Sequence, residues 1–233
     1  MSAPKRSEIL GNNNLTPLMF RLGWPIMLAT LLETFYQLAD TFWLGRLSGD
    51  QSGDSVAALQ IAFPLLWFFA SVSAGFATSG TALVSQHTGA GDKSKADIAA
   101  IQIISFSVIT GLIITAAGML ATPFLMHHVT SDQKIADTAI SYLLWLFPCT
   151  PFMFVNASFR ILSAAAGDTK TPLKITLISN IINIILDPFF IAGFGPIPKM
   201  GAAGAAAATV ISTALASIAV IVILVNGKTG ISL

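Results

Sequence analysis

Residues 174–193 read KITLISNIINIILDPFFIAG, and this stretch decides the fold. It is about as long as the ~20 apolar residues that carry a helix across a bilayer core. It is too long and too continuous for a buried strand. Its polar members, Thr176, Asn180, Asn183 and Asp187, are spaced 4, 3 and 4. That spacing puts them in one stripe on an otherwise apolar helix. Working outward, five further runs of the same kind lie at 18–44, 56–82, 98–121, 138–162 and 201–225. Polar or Gly/Pro-bearing joints separate them: GRLSGDQSGD, SQHTGAGDKSKAD, HHVTSDQKIAD, RILSAAAGDTKTPLK and GFGPIPK. The alternating ten-residue pattern of an outer-membrane barrel is absent. The expected fold is an all-α integral membrane protein. Six transmembrane helices occupy 18–225, between a polar N-terminal segment (1–17) and a short tail (226–233).

Composition agrees. The 233 residues are 54% hydrophobic and only 10% charged, against about 25% charged in soluble domains. A net charge of +1 gives no field for nucleic acid. The single Cys149 excludes an internal disulfide and reads as a buried, inert thiol. The first eleven residues carry Lys5 and Arg6 but no separate signal-peptide core, so the first span is expected to stay in the membrane. His87, His127 and His128 have no partners at metal-ligand spacing. Gly89-Ala-Gly91 is not followed by the Lys and Ser/Thr of a phosphate loop, and no hydrolase or metalloprotease constellation is visible. The chain is therefore expected not to be an enzyme and to need no cofactor.

Basic residues in the joints set the orientation. Lys5, Arg6, Arg21, Lys93, Lys95, Arg160, Lys170, Lys174 and Lys228 fall on one side; Arg46, Lys134 and Lys199 fall on the other. Both termini are expected to be cytoplasmic, in a multi-pass protein of the cell membrane. Gly201, Gly204 and the alanines around them, with Gly75 and Gly80, supply small faces for close helix contact. Pro25, Pro64, Pro148 and Pro151 predict kinks in spans one, two and four.

Three acids stand inside apolar runs: Glu33, Asp40 and Asp187. An ionised carboxylate at bilayer depth costs a few kcal/mol or more, so it faces a cavity or a partner. Asp40 lies ~8 Å inside the outer end of its span, Asp187 ~9 Å and Thr209 ~12 Å. Three polar groups from three helices thus share one depth, which points to a common site. Glu33, Gln37 and Asp40 form a second stripe, spaced 4 and 3, on the first helix, and Asn156 and Arg160 lie nearer the cytoplasmic side. A water-filled cavity is the preferred interior for these stripes; dry interhelical hydrogen bonding is the alternative. Carboxylates beside amide and hydroxyl oxygens suit a switchable proton or Na⁺ site, because two such charges in low dielectric cannot both stay uncompensated.

Four stretches carry a resemblance: WPIMLATLLETFYQLADTFWLGRL at 24–47, SAGFATSGTALVSQHTGAGD at 73–92, AAGDTKTPLK at 165–174 and NIILDPFFIAGFG at 183–195. Together they resemble the N-terminal lobe of the multidrug and toxic compound extrusion (MATE) transporters. The resemblance implies one six-helix lobe of a twelve-helix transporter with parallel repeats, exporting organic cations or amphipathic compounds in exchange for H⁺ or Na⁺. It assigns a cation site to Asp40, Asn183, Asp187 and Thr209, bending of the first helix to Pro25 and Tyr36, and a polar cavity position to Asn156. Glu33, Gln37 and Asn180 join the cavity set as members of the two stripes. Glu33 departs from the family pattern, which more often has an uncharged residue there. The second lobe is expected to be absent from this chain, to be supplied by a homodimer or a separate chain. Two other readings follow: a fragment or subunit that does not transport alone, and a lipid-linked substrate flippase, which would want a basic cavity where only Arg160 is available.

Overall fold

The computed structural model describes residues 15–47 and 50–226. Residues 1–14 and 227–233 of the expected N-terminal segment and tail, with Lys5, Arg6 and Lys228, lie outside the described residues. The helices are α1 (Leu15–Gly45), α2 (Asp50–Ala90), α3 (Lys93–Val129), α4 (Gln133–Leu146), α5 (Thr150–Ala165), α6 (Lys170–Ile191) and α7 (Ala202–Val225). A 3₁₀ turn, Phe147–Cys149, joins α4 to α5, so those two form one span. Six spans result, and the described residues contain no strand beyond an isolated bridge between Phe194 and Ile197. Five of the spans, all but α1, are long and apolar enough to cross a membrane by length and composition.

The structure changes two details of the sequence reading. The helices α2 and α3 run 41 and 37 residues, well past the apolar cores at 56–82 and 98–121. The polar SQHTGA stretch is therefore helical, and the chain turns only at Gly91 (φ +78°), where Asp92 caps α3 by accepting from the Lys95 amide. Prolines act unequally: α1 and α2 continue through Pro25 and Pro64, whereas Pro148 and Pro151 interrupt the fourth span. Pro151 has no N–H for the Phe147 carbonyl. That oxygen instead accepts from the Thr150 amide and from the Thr115 hydroxyl of α3, 2.8 Å away.

Packing depends on small residues, as expected where lipid removes the hydrophobic drive between helices. Gly80 faces Ile103 closely enough that a Cβ would collide with it, and Gly118 does the same beneath the Phe147 ring. Gly75, expected at a contact, has open space around its Cβ position instead. Two apolar clusters close the bundle. One gathers Leu44, Leu59, Leu143, Phe147 and Ile191 toward the predicted outer end. The other gathers Val84, Ala100, Phe159, Leu162 and Leu224 toward the opposite end. Outward-facing Phe35, Phe42, Ile113, Leu120 and Ile178 remain exposed, as a lipid-facing surface requires.

Candidate cation-binding site

The helices α1, α6 and α7 meet where the two polar stripes face each other. Their register is fixed by the α6–α7 connection. The Met200 and Gly201 amides donate back to the Phe190 and Ile191 carbonyls at 3.1 Å each. Gly193 turns the chain at φ +78°, with a Cβ position only 2.8 Å from the Lys199 nitrogen, so a side chain is excluded twice over. Three residues into α7, Gly204 lies directly on α6: a Cβ would stand 2.3 Å from the Phe190 carbonyl oxygen. This contact draws the next turns of α7 against Asn183 and Asp187. Pro188 follows Asp187 inside α6 and leaves the Ile184 carbonyl without its helical donor, which loosens the ladder beside the acid.

Asp40, Asn183, Asp187 and Thr209 are thereby brought together, at 3%, 1%, 0% and 5% exposure. The Thr209 hydroxyl donates to the Ala205 carbonyl one turn back, at 3.0 Å. Its oxygen takes the Asn183 amide at 3.4 Å and stands 2.8 Å from the Tyr36 hydroxyl. Tyr36, Asp40 and Asp187 lie close enough to interact electrostatically. Thr209 thus orients the Asn183 amide so that its donor end is occupied and its Oδ1 is left over.

What remains is a set of acceptors without donors. Asp40 Oδ1, Asn183 Oδ1 and both Asp187 carboxylate oxygens are buried with no hydrogen-bond partner. Among the described residues only two other buried side-chain atoms share that condition, the single hydroxyls of Ser73 and Ser163. Four of these six atoms thus belong to three residues of the site. An uncompensated buried carboxylate costs several kcal/mol, and a proton or cation is what such oxygens lack. The donor set is oxygen only, which suits H⁺ or Na⁺. No group of three His, Cys, Asp or Glu residues fit for a metal ion occurs among the described residues.

Two neighbours escaped the sequence reading of the site. Tyr142 of α4 is buried at 2% exposure and lies within electrostatic reach of both acids. Cys149 places its Sγ 3.9 Å from the Thr209 carbonyl. A tyrosine inside an apolar run is the signal for the first, since its hydroxyl needs a polar neighbour when buried. Cys149 carries no such signal.

The remaining predicted residues divide. Asn180 donates to the Leu32 carbonyl of α1 at 2.8 Å. Asn156 donates to the Phe152 carbonyl (2.9 Å), the Ser217 hydroxyl (2.8 Å) and the Thr213 carbonyl (3.3 Å). These amides tie helices together within the lobe. Glu33 forms an ion pair with Arg160 of α5, and both side chains are part-exposed. Gln37 is half-buried and Pro25 buried, both on α1.

The MatE family model matches residues 25–189. The probable multidrug resistance protein YoeA of Bacillus subtilis is 30% identical over 81% of this chain, and the probable multidrug resistance protein NorM of Thermotoga maritima is 27% identical over 83%. The chain spans 40% and 41% of the lengths of those two relatives. Among solved structures, an outward-facing multidrug resistance MATE transporter superposes with a TM-score of 0.87 at 25% identity. That match covers all of this chain and half of the other.

Proposed function

The chain belongs to the MATE family, and on that premise we propose that it is the cation-binding lobe of a cation-coupled exporter. The observation that carries the reading is the group of four donorless oxygens on Asp40, Asn183 and Asp187. A proton held between the two carboxyls, or a Na⁺ on the oxygens of Asp40, Asn183 and Asp187, supplies the missing positive charge. Thr209 supports the site from the side by fixing Asn183 and Tyr36. Loading and unloading the site changes the charge at the outer half of α1. That helix also carries Pro25, where the backbone ladder is already broken, so it is the element whose bend the cation biases. The exported solute is a small organic cation or amphipathic compound, the coupling ion is H⁺ or Na⁺, and no other cofactor is required. Both termini face the cytoplasm of a cell-membrane protein. Transport needs a second lobe, from another copy of the chain or from a separate one. A lipid-linked pyrophosphate is disfavoured because Arg160, the interior cation it would use, is already paired with Glu33.

The test is efflux from vesicles under an imposed proton or Na⁺ gradient, comparing the chain with Asp40→Asn and Asp187→Asn. Gradient-driven efflux by the parent, lost in both variants, supports the reading. No efflux of any organic cation under either gradient refutes transport by this chain. Normal efflux in both variants refutes the site.

A further inference from the structure

The Glu33–Arg160 pair lies two helical turns from Asp40 along α1 and takes no part in the cation site. It differs from an ordinary tie between packed helices. The helix α1 packs along α6, whereas α1 and α5 barely touch. Two long side chains therefore reach across an open interval to meet, and each stays part-exposed, Arg160 at 36% and Glu33 at 42%. Met153, seven residues before Arg160 and on the same face of α5, is exposed at 38%. Half-buried Gln37 follows Glu33 by one turn on α1. The pair thus sets two opposite, part-exposed charges on membrane-spanning helices, with Met153 exposed on the same face as Arg160.

Those charges satisfy each other, and that fixes what can replace them. A solute bearing only a cation could take Glu33, but would leave the guanidinium without its partner. One bearing only an anion would strand Glu33 in the same way. Breaking a charged pair and leaving one half unpaired is the costly event. A solute carrying both charges exchanges partners with both residues and strands neither.

We propose that Glu33 and Arg160 form a bipolar subsite for amphoteric solutes, the solute's ammonium replacing Arg160 on Glu33 and its carboxylate replacing Glu33 on Arg160. The proposal rests on reading the chain as an exporter lobe and adds the charge class of its solute.

The experiment uses the full chain in lipid nanodiscs and three related xanthene dyes: amphoteric (aminoxanthene with a free carboxylate), cationic (the same dye with its carboxylate esterified) and anionic (a hydroxyxanthene carboxylate without amines). Binding is read by fluorescence polarisation. The parent should bind the amphoteric dye a few-fold more tightly than either singly charged form, as a part-exposed pair allows. Arg160→Gln should move the preference to the cationic dye and Glu33→Gln to the anionic one. The exchanged pair Glu33→Arg/Arg160→Glu should restore the amphoteric preference. An unchanged order in both single variants overturns the proposal, as does equal weakening of all three dyes, which marks a purely structural tie. Na⁺- and proton-dependent stability, measured on the same samples, separates this outcome from failure of the cation site. A dye preference that inverts while Asp40→Asn and Asp187→Asn leave the cation response intact refutes the coupling site and upholds the subsite.

Discussion

Two carboxylates on one face of α1, Glu33 and Asp40, are treated in opposite ways. Glu33 is part-exposed and has its own fixed cation in Arg160. Asp40 is buried at 3% and faces a second carboxylate with no cation in reach. The contrast is between a charge pair completed within the chain and one left incomplete. Where the counter-charge is built in, nothing from outside is required. Where it is left out, ionised carboxylates stay costly, and the proposed function supplies the missing charge from a proton or Na⁺.

The largest effect that would break this contrast is at the acids themselves. Asp187→Asn should abolish cation-driven efflux while stabilising the cation-free chain by about 1–3 kcal/mol, because it removes one of two facing charges and exchanges one donorless oxygen for an amide donor. Thermal unfolding of the cation-free chain checks the sign. Next comes Gly204→Ala, whose new Cβ meets the Phe190 carbonyl. It should cost about 1–3 kcal/mol by prising α7 from α6, and should weaken cation binding although no ligand is touched. Smaller still, Glu33→Gln or Arg160→Gln should change stability by about 1 kcal/mol or less, as befits a part-exposed pair, and leave the cation response in place. The smallest effect lies outside the membrane. The hydrogen bond from Lys95 holds the Asp92 carboxyl below its ordinary value. Its capping contribution is thus fully present above the usual carboxylate range and fades as pH falls through the lowered value. Amide exchange at the first turn of α3 should accelerate there.

Periodicity and spacing made much of this readable in advance. The last members of the two stripes, Asp40 on α1 and Asp187 on α6, do meet, and Pro148 with Pro151 does break the fourth span. Helical phase, however, cannot tell a cavity from a dry contact. The α6 stripe divides in the folded chain: Asn180 is used up on the Leu32 backbone, while Asn183 and Asp187 keep oxygens to spare. That difference depends on which donor arrives from a neighbouring helix, a tertiary fact. The same holds for Glu33 and Arg160, 127 residues apart and joined only by the fold. Tyr142 and Cys149 sat in an apolar run whose hydropathy hid their position beside the acids.

The central claim is that the four donorless oxygens take a cation. The most direct measurement is thermal unfolding of the purified chain in nanodiscs, titrated with Na⁺ at constant ionic strength and, separately, with protons. Parent and Asp40→Asn/Asp187→Asn double variant are compared. The account predicts that one of the two cations raises the parent's midpoint, by the equivalent of about 2.7 kcal/mol at a hundredfold excess over Kd, and leaves the double variant flat. An identical response in both proteins, or none in the parent to either cation, would contradict it.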